Sequence, residues 1–332
     1  MPVTAVMRQA AQSARNVARK CVCVFMAIVV AVGMCPGIAR ADASDYTKSS
    51  VLSTLKAYDS NGYYIVKSQA KRGDNIMAWW NDSNVYRDFS TTVHEECHAF
   101  SFATTWNAQK IYVGNKKSVK VKYTKTFKSQ KIASTVPSAL QTERFWTYVG
   151  ASGSNLDSNV YGAYGLLNEF MAYCWGFNSL VGLYGLANKQ TLSDDVWLEY
   201  YAGSANAALA YAEFRYFIQH YLYYAKKHKK SVYKKIVKNK AFVKAVKKID
   251  KKYNALIKKY DSRVQTVANR LWDAGYQVYM KDDRLMMGEW SPYGYCMYLE
   301  QYNAFAKELK KSWYKAIQKK LGLTTVKTRA LL

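Results

Sequence analysis

The alternation of apolar and polar residues predicts short antiparallel strands in three parts of the chain. Residues 60–69 (SNGYYIVKSQ) combine a turn with alternating apolar positions, which is typical of a short strand. Residues 110–134 place a Gly-Asn turn between β-branched, aromatic and lysine residues, and this predicts a lysine-rich β-ribbon. Residues 275–290 have the pattern of a small hairpin. We therefore expect small sheets only.

Helical periodicity dominates the remaining sequence. Asp88 or Ser90 is expected to cap a helix that runs through Phe102. Apolar positions that recur every three or four residues predict further helices at 138–149, 162–181, 196–230 and 293–321. The pattern indicates an α+β fold that is predominantly helical. We expect an N-terminal lobe at 42–135, with the β-ribbon, and a helical C-terminal lobe at 136–332.

The stretch from Lys226 to Lys259 holds fifteen lysines. Its apolar residues form a stripe with spacings of three and four, namely Phe242, Val246, Ile249, Tyr253, Leu256 and Tyr260. This spacing predicts one amphipathic helix, which Asp261 could interrupt. The lysines then form either a solvated face or a face that docks on an anionic surface.

Residues 1–41 have the features of a secretory signal peptide. A basic leader precedes the apolar run CVCVFMAIVVAVGM (21–34), and the small residues of ARADA (39–43) offer a cleavage site. The alternative is an uncleaved membrane anchor, but a run of fourteen residues is shorter than the eighteen or more that a spanning helix needs. No later stretch is apolar enough to span a membrane, so we expect a secreted protein.

Composition and charge narrow the classes of partner. Half of the residues are apolar and 15% are aromatic, which indicates a globular chain and not a disordered one. The formal net charge is +26, and the predicted signal peptide carries five of these charges, which leaves +21. Outside a cell, the anionic partners of such a surface are cell-wall polymers, acidic glycans, phospholipid head groups or nucleic acid, and charge alone does not choose among them. We expect an anionic cell-wall or glycan surface, and no specific nucleic-acid binding.

Residues 91–100 (TTVHEECHAF) place His94 and His98 four positions apart, with Glu95 directly after the first histidine. On an α-helix, residues four apart lie on one face, so both rings can bind one metal ion. Glu95 flanks that face and can accept a proton from a water molecule that the metal polarises. The residue types and their spacing therefore predict a hydrolytic zinc site.

The segment resembles the zincin metallopeptidases, whose signature is His-Glu-x-x-His on an active-site helix. Glu96 departs from that pattern, because the family usually has an uncharged residue there, and we expect its side chain to face solvent or a lysine. The resemblance implies a zinc cofactor, a peptide or protein substrate, and Glu95 as the general base. It also implies a third ligand downstream of His98.

The segment LLNEFMAY (166–173) is similar to the second helix of the gluzincins, the zincin branch whose third ligand is glutamate. Glu169 matches the ligand, Asn168 the polar residue before it, and Ala172 the small residue three positions later. Tyr173 departs from the pattern, since some members carry there an aspartate that supports a ligand histidine. Buried among apolar residues, an unpaired Glu169 would be costly, which also favours a metal partner.

Several roles stay open at this point. Glu143 and Glu199 are alternative third ligands. The donor that stabilises the oxyanion, a tyrosine or histidine in this clan, is sought among Tyr161, Tyr164, Tyr173 and His220. Cys97 and Cys174 are either buried free thiols or partners in a disulfide.

Two functions compete, and zinc-dependent hydrolysis of a non-peptide bond is a third that the sequence leaves open. The first is a secreted zinc metallopeptidase of the gluzincin type, with His94, His98 and Glu169 as ligands. The second is a non-catalytic basic secreted protein that binds anionic cell-wall or glycan polymers, in which the HEECH helix is structural.

Overall fold

The computed structural model describes residues 46–80, 84–102, 107–150, 156–189, 194–288 and 293–332. All of them belong to one compact unit, Arg40–Leu332. The predicted signal peptide, residues 1–41, lies outside the described residues. The chain is mostly helical with two small sheets, which confirms an α+β fold that is predominantly helical. The boundary between lobes near residue 135 stays a prediction.

The described elements follow one another along the chain with short connections. The helices are α1 (Lys48–Tyr58), α2 (Ser60–Ala70), α3 (Val85–Phe102), α4 (Glu143–Phe145), α5 (Asp157–Tyr161), α6 (Ala163–Lys189), α7 (Asp194–His228), α8 (Lys230–Lys238), α9 (Lys240–Asp273), α10 (Leu299–Glu308) and α11 (Ser312–Leu321). The strands are β1 (Ala108–Gly114), β2 (Lys117–Lys122), β3 (Val278–Lys281), β4 (Arg284–Met287) and β5 (Tyr293–Cys296). Single 3-10 or π turns occupy Ile76–Trp79, Ser129–Thr135, Ser138–Leu140 and Trp146–Gly150.

Both sheets are antiparallel. β1 pairs with β2 around a turn in which Asn115 and Lys116 adopt positive φ angles of 52° and 59°, so the predicted ribbon is confirmed as far as Lys122. Beyond it, the chain forms a 3-10 turn at Ser129–Thr135 instead of continuing as a strand. β3 and β4 form the predicted hairpin, and β5 adds a third strand beside β4.

Helix α6 lies at the centre of the fold and is buried along most of its length. It packs against α3 on one side and against α7 and α9 on others. The predicted apolar stripe of α9 faces this core, and Tyr253 stacks on Phe170 of α6 with ring centroids 5.7 Å apart. Within the described residues, no helix combines the length and the apolar character that crossing a bilayer requires.

The strand predicted at residues 60–69 is wrong, because this segment forms helix α2. Asp59 caps the helix, accepting hydrogen bonds from the backbone N–H groups of Asn61 (3.1 Å) and Gly62 (2.9 Å). The side buried in the core consists of Gly62, Ile65, Val66 and Gln69. Their spacings of three, one and three follow the helical period, which prevails over the β-propensity of the aromatic and β-branched residues.

Two helix boundaries also differ from the prediction. Helix α3 begins at Val85, and the Asn84 side chain accepts a hydrogen bond from the Arg87 N–H (3.0 Å), so neither Asp88 nor Ser90 is the cap. Residues 138–149 do not form one helix. They divide into a 3-10 turn, the single turn α4 and a π turn, which leaves Trp146 exposed at the surface.

The lysine-rich segment breaks at Asn239 and not at Asp261. Asn239 ends α8 and caps α9, accepting a hydrogen bond from the Phe242 N–H (3.2 Å). Asp261 lies within α9 and forms an ion pair with Arg329 (2.7 Å), so its charge does not interrupt the helix. The predicted closing helix at 293–321 consists instead of β5, α10 and α11.

Candidate metal centre

Helices α3 and α6 approach each other closely at Gly176. A Cβ atom at this position would lie 3.0 Å from the Ser90 carbonyl oxygen and 3.5 Å from the His94 Cβ. Any larger side chain would therefore push the two helices apart. Ala172, the small residue that the gluzincin resemblance singles out, is also buried.

The structure brings His94, His98 and Glu169 together where these helices meet. The Nε2 atoms of the two histidines are 3.1 Å apart. Glu169 Oε2 lies 3.4 Å from Nε2 of His98 and 3.8 Å from Nε2 of His94. All three side chains are mostly buried, and His98 is the most open, with 21% of its side chain exposed. Solvent therefore reaches the cluster from the His98 side.

A hydrogen-bond network sets the orientation of the His98 ring. The amide nitrogen of Asn168 donates to Ser101 Oγ (2.7 Å) and to Gln109 Oε1 (3.0 Å), so its amide oxygen must face the other way. That oxygen contacts Nδ1 of His98. An amide oxygen only accepts hydrogen bonds, so Nδ1 carries the proton. In the neutral ring, Nε2 then presents its lone pair to the cluster.

The two histidines have opposite protonation tendencies. Burial lowers the pKa of His94 well below its ordinary value, and the charges of His98 and Arg144 act in the same direction. His94 is thus a neutral imidazole, the form that binds metals. Burial is also the largest single influence on the pKa of His98 and acts to lower it, but the charges of Glu169 and Glu95 and the hydrogen bonds with Glu169 and Asn168 together outweigh it and raise the pKa to about 10. Glu169 therefore attracts a cation to this point.

Glu95 follows His94 on helix α3 and is also buried, with 7% of the residue exposed. Burial raises the pKa of Glu95 to about 7. The positive charge of His98 opposes this rise, and the negative charge of Glu169 adds to it. A carboxylate with a pKa near neutrality is suited to accept and release protons at ordinary pH.

The cluster could hold a metal ion. Glu169 Oε2 is buried and makes no hydrogen bond of regular geometry, although it lies within ion-pair distance of Nε2 of His98 (3.4 Å), and a carboxylate buried in this way is costly unless a cation neutralises it. His94, His98 and Glu169 each place one ligand atom within 4.8 Å of the other two. Two imidazoles and one carboxylate form a donor set that zinc accepts while it keeps a fourth position for water.

The alternative ligands are placed differently. Glu143 is exposed on α4 and does not belong to the cluster. The side chain of Glu199 lies outside the described part of the structure.

Two of the candidate oxyanion donors bond elsewhere. The hydroxyl group of Tyr164 bonds to Thr124 (2.7 Å) and Asn239 (3.3 Å). His220 bonds to Thr135 (2.9 Å) and Tyr314 (2.7 Å), and neither of these two partners belongs to the cluster.

Tyr173 contacts the cluster, and beside it lies Tyr148, which the sequence did not predict. The Tyr173 ring lies edge-on to His94, with centroids 4.5 Å apart, and its hydroxyl group is 3.1 Å from that of Tyr148. Burial raises the pKa of both phenols, and the charge of Glu169 adds to this, so both keep their protons. No motif could single out Tyr148 among twenty-nine tyrosines. Tyr161 stacks on Tyr123 (4.9 Å).

A buried ion pair supports Tyr173 from the other side. The Arg144 guanidinium lies 4.7 Å from the centroid of the Tyr173 ring and donates a hydrogen bond to Glu213 (2.8 Å). Glu213 is fully buried, so the positive charge of Arg144 is largely compensated. This arrangement fixes the Tyr173 ring against His94 and the cluster.

Two other side chains beside the histidines take structural positions. Glu96 is buried and accepts a hydrogen bond from the indole N–H of Trp79 (3.1 Å), so the expectation that it faces solvent is wrong. Cys97 and Cys174 are free and completely buried, and the structure contains no disulfide between them.

Comparison of the chain with protein-family models, with curated proteins and with solved structures found no match in any of the three sets.

Proposed function

We propose that this chain is a secreted zinc-dependent metallopeptidase, in which His94, His98 and Glu169 hold the metal and Glu95 is the general base. One observation carries the proposal. Two imidazole nitrogens 3.1 Å apart meet a buried carboxylate oxygen that lies 3.4 Å from one of them and 3.8 Å from the other. Three such donor atoms at one buried point are a ligand set that a metal ion could share.

Zinc bound by these ligands would supply a Lewis acid that lowers the pKa of a water molecule and polarises a carbonyl group. The protein's own residues provide the remaining functions. Asn168 holds the His98 ring with its Nε2 towards the cluster. Glu95 accepts a proton from the attacking water and passes it to the leaving amine. The hydroxyl groups of Tyr148 and Tyr173 are protonated donors available to the oxygen that becomes negative.

The zincin-like organisation belongs to the same proposal. The HEECH helix α3 lies in the predicted N-terminal lobe, 42–135, and Glu169 on α6 lies in the C-terminal lobe, 136–332. A peptide or protein substrate would bind along the exposed side of His98. The resemblance of residues 91–100 and 166–173 to the gluzincins supports hydrolysis of peptide bonds.

Metal analysis tests the first half of the proposal. Protein purified from zinc-replete expression and desalted should carry near-stoichiometric zinc, and a His94→Ala/His98→Ala double variant should carry none. Absence of zinc from the wild-type protein would instead favour the non-catalytic basic protein that binds anionic polymers.

Replacement of Glu95 by Gln tests the second half. The amide keeps the size of the side chain and lies outside the ligand set, so zinc content should be unchanged. Turnover of a peptide-library substrate should fall by roughly 10²–10⁴-fold, because the proton acceptor is lost. Undiminished turnover would remove the general-base role. Zinc binding without cleavage of any peptide would shift the proposal to a non-peptide bond.

A further inference from the structure

A positively charged groove lies on the surface where α8, α9 and α11 meet. Its volume is about 450 Å³, and its apolar lining residues are Val237 and Val243. The remaining lining residues are all lysines, namely Lys240, Lys244, Lys247, Lys248 and Lys251 of α9 and Lys320 of α11. We refer to it as the lysine groove.

The charges of the lysine groove are not compensated by acidic neighbours. All six lysines are exposed, and within the described residues none of them forms an ion pair. The acidic residue of α9 closest in sequence, Asp250, is buried and bonds to Tyr211 (3.0 Å) and to Arg215. A concentration of six unpaired ammonium groups repels itself, and an anionic ligand relieves that repulsion.

The lysines of α9 form a row. Lys240, Lys244, Lys247 and Lys251 are spaced by four, three and four residues, which places them on one side of the helix. At 1.5 Å per residue the row is about 16 Å long, so successive ammonium groups are roughly 5 Å apart. A linear ligand with a charge at every short repeat can contact all of them at once, whereas a single small anion contacts one or two.

The chemistry of the lining argues against several classes of polyanion. Among the described residues that line the groove, there is no aromatic ring on which a base or a sugar could stack, and no amide or hydroxyl side chain that could bind sugar hydroxyl groups. It contains no arginine, the residue that pairs bidentately with carboxylates. Lysine ammonium groups act as point charges that suit phosphate. A concave groove between helices also accommodates a chain better than it accommodates a flat lipid surface.

We propose that the lysine groove binds a linear polyphosphodiester in which short polyol units join the phosphates. The ligand would lie along α9, with successive phosphates paired to the row of ammonium groups and the polyol carbons against Val237 and Val243. Helix α9 packs its opposite side on α6, the helix that carries Glu169. The groove would therefore anchor the protein, with its metal cluster, on such a polymer. This binding depends neither on the metal nor on catalysis.

The test measures binding of the full chain to poly(glycerol phosphate) by titration at several salt concentrations. A variant with Lys240, Lys244, Lys247 and Lys251 replaced by Gln should bind at least about tenfold more weakly. The slope of log K against log salt should also decrease by about 3, since each phosphate contact contributes roughly 0.7 to 0.9. The lysines are exposed, so the fold should be retained, and circular dichroism checks this.

A charge-matched control separates the groove from net charge. Replacing four exposed lysines of the β-ribbon region by Gln, namely Lys116, Lys117, Lys120 and Lys125, removes the same charge elsewhere. This variant should retain wild-type affinity, and an equal loss would overturn the assignment to the groove. Equal or tighter binding of polygalacturonate, of single-stranded DNA of matched charge, or of phosphatidylglycerol vesicles would overturn the choice of a polyphosphodiester with polyol linkers.

Discussion

The side-chain amide of Asn168 and the ring of His98 are joined across the interface of α6 and α3, where the amide oxygen meets Nδ1 of the imidazole. The residue after Asn168 is Glu169, whose carboxylate faces the opposite nitrogen of the same ring at 3.4 Å. Two consecutive residues of α6 thus determine both the tautomer of His98 and the charge beside it. Asn168 thus acts on Nδ1 of His98 and Glu169 on Nε2 of the same ring.

Replacing Asn168 by Leu should lower zinc affinity by about 10- to 100-fold, because the His98 ring loses the acceptor that fixes its tautomer. Asn168→Asp keeps an acceptor oxygen at the same place and should retain most of the affinity. Competition with a chromophoric chelator measures both constants. Equal losses in the two variants would show that packing, and not the acceptor, matters at this position.

Replacing Glu169 by Gln should remove most of the bound zinc, because the ligand set loses its only carboxylate. The matched control is Glu143→Gln, since Glu143 is the rival ligand and is exposed outside the cluster. Its zinc content should equal that of the wild type. Zinc retained by Glu169→Gln but lost from Glu143→Gln would show that Glu143, and not Glu169, is the third ligand.

Gly176→Val should weaken both folding and metal binding. The added atoms meet the Ser90 carbonyl oxygen, 3.0 Å from where a Cβ would lie, and force α3 away from α6. Overpacking of this kind costs about 1–3 kcal/mol in the free energy of unfolding. Gly203→Val on α7 is the control, because no atom lies within 4 Å of a Cβ there. Urea denaturation and zinc titration of both variants measure the difference.

Tyr148→Phe should reduce peptide turnover by roughly 10-fold or more without changing zinc content, because it removes a protonated hydroxyl group beside the cluster and no ligand. Tyr164→Phe is the control, since that hydroxyl group is bonded to Thr124 and Asn239. Steady-state kinetics and metal analysis are measured on the same preparations. An unchanged kcat in Tyr148→Phe would assign the oxyanion contact to another donor, with Tyr173 the next to test.

His220 should make the protein less stable in acid. Burial lowers the pKa of His220 to about 4, and its polar neighbours, Thr135 and Tyr314, are uncharged. Between pH 6.5 and pH 4 the unfolded state therefore binds more protons than the folded state, and stability is lost as the pH falls through this range. The loss amounts to at most about 3 kcal/mol and ends near pH 4.

The comparison with His220→Gln isolates this contribution. The variant loses some stability at neutral pH because its hydrogen bonds change, but its stability should depend less on pH between 6.5 and 4. Urea denaturation at several pH values provides the two curves. Parallel curves for the two proteins would contradict a buried neutral His220.

The local pattern of apolar residues was sufficient to predict the secondary structure where a segment buries one face. The stripe from Phe242 to Tyr260 predicts α9, and the alternation around Asn115 predicts the β1–β2 ribbon, because each period decides which side chains leave water. Pattern failed at residues 60–69. There the capping carboxylate of Asp59 and the burial of Ile65 and Val66 in a helical register decided the conformation.

From the sequence, it follows that the chain is mainly helical, that it is strongly basic, and that His94 and His98 share one face of a helix. Helical geometry alone enforces the last of these, since four residues make about one turn. The position of Glu169 beside them, the hydrogen bond from His98 to Asn168, and the two tyrosines depend on how α3 and α6 pack. These helices meet across some seventy residues of sequence, and no local period specifies which side chains such a contact will bring together.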